Sequence, residues 1–293
     1  MLLGLVLTLA SAFTTNVGFL FRHRGAVAAP DVDVRHPLRS AIGLFRSKWW
    51  TLGYVLAAIA YALHVAGLAL APLSIVQAVL AGGLVLLGVI AERWFGFHLG
   101  RREWTGVVLA SIGLAFLTLT AAGETGGKSS DYSLAAMLAW ESALVGIGTL
   151  LIIAHRNQRR DSRKGILLGV AAGLLFTVSH VAVKAATGMG DSVENAIPFV
   201  LIALVAGICA FFASARSLQI GEGVAVIAVT SIASNASSIP AGIVVFGDPL
   251  GEGTMTIALR CLAFLLVIAA ATLIPGPTRA GAARSRAPEA VAT

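Results

Sequence analysis

The sequence predicts an all-α integral membrane protein of nine transmembrane helices, arranged as two inverted four-helix repeats joined by helix five. Three observations carry this reading. Apolar residues make up 57% of the 293 and charged residues only 12%, about half the charged share of a soluble domain. The apolar residues gather in runs of about 20, the length an α-helix needs to cross the hydrocarbon core of a bilayer. Among the Lys and Arg residues in loops and tail, eighteen lie on one side of the alternating pattern and only Lys128 on the other. That asymmetry places the N-terminus outside and the C-terminus in the cytoplasm.

Residues 2–21 form the first span. Its charges follow the apolar run instead of preceding it, so it reads as a retained helix and not as a cleaved signal. Residues 22–48 are a cytoplasmic connection with Asp31, Asp33, Pro30 and Pro37, and with a short interfacial helix expected at 37–45. Residues 49–70 and 72–91 make a hairpin around Ala71-Pro72, a place where proline suits a turn or a first helical turn. Trp49, Trp50, Arg93, Trp94, Arg101, Arg102 and Trp104 stand at its open end as interfacial anchors. Residues 104–121 complete repeat one (1–121), and 133–155 are the linker helix. Residues 165–187, 197–217, 222–246 and 253–274 make repeat two (165–274). The whole of 1–274 is one transmembrane domain, while 275–293 has the Pro, Gly, Ala and Arg content of a disordered cytoplasmic tail.

Helices one to four then begin outside and helices six to nine begin inside, the inverted plan of many secondary transporters. Phe95-Gly96 and Phe246-Gly247 recur in the two blocks, near Glu92 and Asp248.

Other classes are disfavoured. The net charge of +7 is spread over membrane-flanking loops, with no basic patch and interleaved aromatics for nucleic acid. Cys209 and Cys261 lie in apolar runs as small hydrophobes, which implies neither a disulfide nor a metal site. The run AGETGGKSS resembles a phosphate-binding loop, but Ala122 stands where its first glycine belongs and no strand precedes it. No metal-ligand spacing, nucleophile elbow or carboxylate pair is present, so neither an enzyme nor a cofactor is expected.

Ionisable groups inside a bilayer cost about 2.5–3.5 kcal/mol each at a helix centre, so each is a candidate. Glu141 lies about 12 Å into helix five at 1.5 Å per residue, either as a coupling carboxylate or as a structural partner of Lys184 or Arg260. Lys184 and His180 in helix six, Arg260 in helix nine and His64 in helix two also fall in the outer half of the membrane. Snorkelling or structural pairing accounts equally for each alone. Together they suggest a cavity opening outward. Helix eight adds Thr230, Ser231, Ser234, Asn235, Ser237 and Ser238 ahead of Pro240, whose missing N–H breaks one helical bond. Helix three, its repeat mate, offers Ser74 and Gln77. Gly169 and Gly173 form a GxxxG, read as packing within one chain, with a homodimer left open.

The hairpin WWTLGYVLAAIAYALHVAGLALAPLSIVQAVLAGGLVLLGVIAERWFG, followed by WTGVVLASIGLAFLTL, resembles the drug/metabolite transporter superfamily. The FRHRG cluster closing helix one, the tryptophan pair, the Ala-Pro turn, Glu92 and the HVAVKAATG step around Lys184 are similar to its nine-helix branch of NIPA-like and EamA-like transporters. The resemblance implies an inverted-repeat fold working by alternating access in the plasma membrane. Two departures weigh on the substrate. Gln77-Ala78 stand where the family's helix-three proline is expected, and helix one carries no coupling carboxylate.

The expected function is secondary transport of a small metabolite or ion through a central cavity. The alternatives are a lipid or lipid-phosphate flippase, a NIPA-like magnesium transporter and a non-transporting membrane scaffold. With two cations against Glu141 the cavity favours an anionic or zwitterionic solute or a lipid phosphate, since Mg2+ demands oxygen ligands and keeps its waters. The expected partners are that small molecule and membrane lipids.

Overall fold

The computed structural model describes residues 2–33, 35–70, 73–121, 132–156, 158, 161–187, 193–247 and 253–273. They form ten helices: α1 (Leu2–Ala28), α2 (Pro37–Phe45), α3 (Lys48–Leu70), α4 (Leu73–Phe95), α5 (Arg101–Ala121), α6 (Leu134–Arg156), α7 (Asp161–Thr187), α8 (Val193–Ile220), α9 (Gly223–Phe246) and α10 (Thr254–Leu273). Among these, α1, α6, α7, α8 and α9 are long and apolar enough to cross a membrane by length and composition. Large apolar side chains such as Val55, Ile59, Leu150, Leu201, Val205 and Leu265 stand exposed along the helices. Water would penalise such a surface and lipid would not. The chain is a multi-pass membrane protein.

Several helices outrun their apolar cores. The sequence ends the first span at residue 21, but α1 continues through the basic cluster to Ala28. The cations need not leave the helix, because Arg22 lies over the rings of Phe19 and Tyr54 at 4.2 and 5.2 Å and Arg24 over Trp49 at 4.1 Å. In the same way α7 begins at Asp161, and α8 begins at Val193 with Pro198 in its second turn. The Ala71-Pro72 turn, the AGETGGKSS loop, Asp248 and the tail lie outside the described residues.

The expected hairpin of α3 and α4 is splayed: its two legs scarcely touch among the described residues, and each packs on α1 instead. Glycines permit the approach. A Cβ on Gly25 would fall 2.2 Å from the backbone nitrogen of Trp50, one on Gly53 2.7 Å from the carbonyl of Gly18, and one on Gly67 2.6 Å from Thr8 Oγ1. These pairs run α1 against α3 antiparallel. Asn16 reaches Gly83 and Phe21 packs on Phe95, so α1 and α4 run parallel.

The second block repeats this plan. α7 lies between α8 and α9, which scarcely touch. It is antiparallel to α8, with Gly165 on Gly221 and Ser179 bonded to Ala203. It is parallel to α9, where Gly169 meets Thr230 and Gly173 meets Thr230 and Ala233. The GxxxG is thus used inside the chain. Between blocks, the His23 ring contacts the Leu218 carbonyl at 3.0 Å and fills the space beside Gly223. This joins the C-terminal end of α1 to the end where α7 begins.

One apolar cluster spans both blocks at this basic end, through Leu20, Trp50, Leu87, Val107, Leu218, Val226 and Val267. A second lies at the far end, where Met137 of α6 packs on Val181, Ala182, Ala185, Ala241 and Val245. Gly96 (φ 69°) and Gly247 (φ 66°) follow the last residues of α4 and α9 in the left-handed conformation that glycine adopts without strain. The recurring Phe-Gly pair is therefore the same helix stop used twice.

Candidate functional site

The buried face of α6 is Met137, Glu141, Leu144 and Gly148, a helical stripe whose other members are apolar or small. Its register is set by several contacts. The Ser133 N–H donates to the Val245 carbonyl at 3.0 Å, Met137 shares an apolar cluster with Ala241 and Val245, Leu144 shares one with Val178 and Ala206, and Gly148 faces Leu175. Stepping seven residues along the antiparallel α6–α7 seam from Gly148 at Leu175 sets Glu141 beside the Val181–Ala182 turn of α7. Glu141 is only 6% exposed, and its Oε1 is shut from solvent with no hydrogen-bond partner. Neither Lys184 nor any other described cation pairs with it.

Thr177 of α7 is fully buried and ties α7 to α9. Its hydroxyl lies 3.2 Å from the Gly173 carbonyl, 3.0 Å from the Ser234 carbonyl, 2.7 Å from Ser237 Oγ and 3.3 Å from Ser238 Oγ. Ser237 Oγ in turn donates to the Ala233 carbonyl at 2.6 Å. Serine and threonine in an apolar helix commonly bond back to the preceding turn, where no water competes. Pro240, one turn on, has no N–H to give the Ala236 carbonyl. A hydroxyl has one proton and two lone pairs. One of the two protons of Thr177 and Ser237 must lie in their mutual 2.7 Å contact, so the layer is a short hydroxyl chain tied to helix carbonyls.

The other sequence candidates are distributed differently. Asn235 is exposed and its amide donates to the Ser231 carbonyl of its own helix, while Ser231 and Ser234 are half-buried. His180 stacks on Phe176 and Lys184 Nζ lies 4.0 Å from the centre of the Phe246 ring. Residues 176, 180 and 184 form one stripe of α7. Val178 and Ala182, which face α6, are two residues from His180 and so about 200° around the helix from it. Glu141 and His180 thus address different faces of α7. His64 is half-buried in α3, with Nδ1 unpartnered. Ser74 and Gln77 fall within α4 and Arg260 within α10, but their side chains lie outside the described residues.

Sequence reading overlooked two residues, Thr177 and the buried Asn16 of α1. Asn16 bonds to the Ala12 and Gly83 carbonyls, both at 2.8 Å. In each block a polar side chain of the first helix thus holds a backbone carbonyl of the third. Glu92 serves a loop: its Oε1 accepts from the Leu99 N–H at 3.0 Å and the Trp104 indole at 3.1 Å. Cys209 and Cys261 are free and exposed. Among the described residues no three His, Cys, Asp or Glu side chains gather as a metal site.

A protein of Arabidopsis thaliana named as a probable magnesium transporter, NIPA9, is 25% identical over 293 aligned positions, covering 94% of this chain and 83% of that protein. Over nearly its whole length the chain is thus similar to a NIPA-like protein. An uncharacterized protein of Corynebacterium glutamicum is 29% identical over 192 positions, covering 64% of each chain. No family model matches the chain, and no solved structure does.

Proposed function

We propose that the chain is a secondary transporter that passes a small cation across the plasma membrane by alternating access between its two four-helix blocks. In this reading all nine long helices span, with the N-terminus outside and the basic end in the cytoplasm. The observation that carries it is the opposed run of α1 and α7, each wedged between the two helices that follow it in its block. Inverted blocks of this kind can rock about a fixed midplane site. The matching glycine stops after α4 and α9 and the NIPA-like relatedness support it too.

Cation is preferred to anion because Glu141 is a buried acid within a membrane-length helix, with Oε1 unpartnered and no described cation paired with it. Magnesium is the second reading, favoured by the printed name of the Arabidopsis relative. A hydrated Mg2+ takes only one or two carboxylates and keeps several waters, so it would have to be held in a wider state of the cavity. The test is uptake by the purified chain in sealed liposomes, offered Na+, K+, Mg2+, Co2+, small amino and organic acids, and a fluorescent lipid phosphate. Accumulation of a cation above that of protein-free liposomes supports the proposal. Uptake of anions or lipid alone, or of nothing, overturns it.

A further inference from the structure

We propose that α2 binds an anionic phospholipid of the cytoplasmic leaflet, with the acyl chain under Leu38, Ile42 and Phe45 and the phosphate on Arg39 and Arg46. The cytoplasmic placement of the basic end is taken from the transporter reading, while transport itself is not assumed. α2 carries a different chemistry on each of its four sides. At about 100° per residue Leu38, Ile42 and Phe45 share one stripe, and they are 79%, 55% and 47% exposed. Arg39 and Arg46 fall together about 90° around the helix from that stripe, and both are exposed. Leu44 is fully buried in the core cluster that holds Leu20 and Trp50. The fourth side is covered by the α1–α2 connection. There Gly43 faces Pro30, and the Ser40 hydroxyl accepts from the Asp33 N–H at 2.9 Å and donates to its carbonyl at 3.0 Å. Among the described residues the apolar and the cationic sides are the two left open, at right angles to each other.

Depth and charge identify what covers them. The Phe45 ring meets Tyr54 at 5.5 Å and Phe211 at 6.3 Å. Tyr54 lies six residues past Lys48 in α3, and Phe211 five residues before Arg216 in α8. At 1.5 Å per residue both rings sit about 8–9 Å on the membrane side of those cations, so the stripe is turned into the acyl region and away from water. A soluble partner would have to enter the bilayer to reach it. The arginines stand beside the stripe, at the level where a helix lying in the interface meets headgroups. Among the described residues neither enters an ion pair, because the acids of the connection are engaged elsewhere, Asp31 with Arg216 at 2.7 Å and Asp33 with His36 at 2.9 Å. A guanidinium holds a phosphate through two parallel N–H bonds, and a negative leaflet attracts cations at its surface. A zwitterionic lipid offers the same phosphate but cancels its charge with its own ammonium, so a net anionic headgroup fits better. Since Phe211 belongs to the second block, the lipid sits beside the junction of the two blocks.

The experiment places the full chain, with Cys209→Ala, Cys261→Ala and a bimane label on Leu38→Cys, in phosphatidylcholine nanodiscs. A fixed fraction of the lipid is replaced by brominated phosphatidylcholine or by brominated phosphatidylglycerol, whose bromines quench the label on contact. The expected result is quenching by both, with the higher relative association constant for phosphatidylglycerol. Arg39→Gln and Arg46→Gln should each lower that preference by up to about fivefold, the effect of one basic residue at a membrane surface, and together should remove it. High salt should lower it too. The double variant Arg39→Lys with Arg46→Lys should keep most of it, which separates lost charge from altered packing. Both side chains are exposed, so the variants should stay monodisperse. Equal quenching by the two lipids overturns the proposal, as does a preference indifferent to the arginines. Quenching by neither lipid also overturns it, and is the result if a second copy or another protein covers the stripe. The two readings fail separately. Cation uptake without any lipid preference removes this site and leaves the transporter, while the preference without uptake of any solute leaves the site and removes the transporter.

Discussion

The closest helix approach makes the sharpest stability test. In Gly25→Ala the new methyl would stand 2.2 Å from Trp50 N, 2.6 Å from its Cα and 2.8 Å from its Cβ. Unstrained carbon contacts need about 3.5–4.0 Å, so α1 and α3 must part by about 1 Å at this crossing. The obstacle is backbone, which cannot swing aside as a side-chain tip would. Trp50 is 1% exposed and packs on Tyr54 and on Phe211 of α8, so the movement also loosens the junction between the blocks. Overpacking of this kind costs about 1–3 kcal/mol. For a chain of this size each kcal/mol moves the melting temperature by about 2–4 °C. The assay is thermal unfolding in detergent at a single scan rate, since membrane proteins often unfold irreversibly. Gly146→Ala on α6 is the control. Nothing lies within 4 Å of its added methyl, and alanine gains up to about 1 kcal/mol of helix propensity over glycine. The expected order is Gly146→Ala above wild type and Gly25→Ala several degrees below it. A Gly25→Ala protein that melts at or above wild type refutes the close crossing of α1 and α3.

Three further outcomes follow. Gly173→Ala puts a methyl 2.5 Å from the Thr230 carbonyl and 2.8 Å from Ala233 Cβ, so α7 and α9 should separate at a cost of about 1–3 kcal/mol, read as a lower melting temperature. Gln219 holds the start of the α1–α2 connection through the Ala26 carbonyl at 3.2 Å, the Pro30 carbonyl at 2.9 Å and the Val32 N–H at 3.0 Å. In Gln219→Ala the Val32 amide should lose its protection from hydrogen exchange while global melting changes little. The Asp33 carboxyl titrates below the ordinary carboxylate range, first because of its bond with His36 and then because of the Arg35 N–H. A carboxylate depressed in the folded state stabilises above its unfolded pKa and ceases to do so as pH falls through the lowered value. Protection of the Arg35 amide should therefore fade below the usual carboxylate range, and Asp33→Asn should show the loss already at neutral pH.

Much of the framework was legible because it depends on local composition. Apolar runs, bounding charges and turn residues locate the long helices to within about a turn, except at the end of α1, and even the short helix at Pro37–Phe45 shows itself by a proline start in a polar stretch. The helix ends were less legible. α1 outruns its apolar segment since its cations rest on aromatic rings contributed partly by α3, contacts between residues 25 and 32 positions apart.

The candidate site divides in the same way. Glu141 stands out in any reading as an acid within an apolar helix, and so does the hydroxyl-rich turn of α9. Thr177 does not, because one threonine in a long apolar helix resembles any other. Its importance comes from facing Ser234 and Ser237, which a one-dimensional pattern does not record. Likewise the grouping of His180 and Lys184 with Glu141 followed from their shared depth, whereas the structure sets them around different faces of α7.

The sequence by itself determined that this is a helical membrane protein, which segments form its helices, and which few residues are anomalous in lipid. Only the tertiary structure decided that α1 and α7 are wedged between the long helices following them, that the Trp49 to Trp104 hairpin is splayed, and that Thr177 meets the hydroxyls of α9. The reason is physical. In water a buried face and an exposed face differ in composition, so periodicity reveals packing. In a bilayer lipid tails and protein interior are nearly alike, and helices meet through small residues and a few hydrogen bonds whose partners appear only when the chain is assembled.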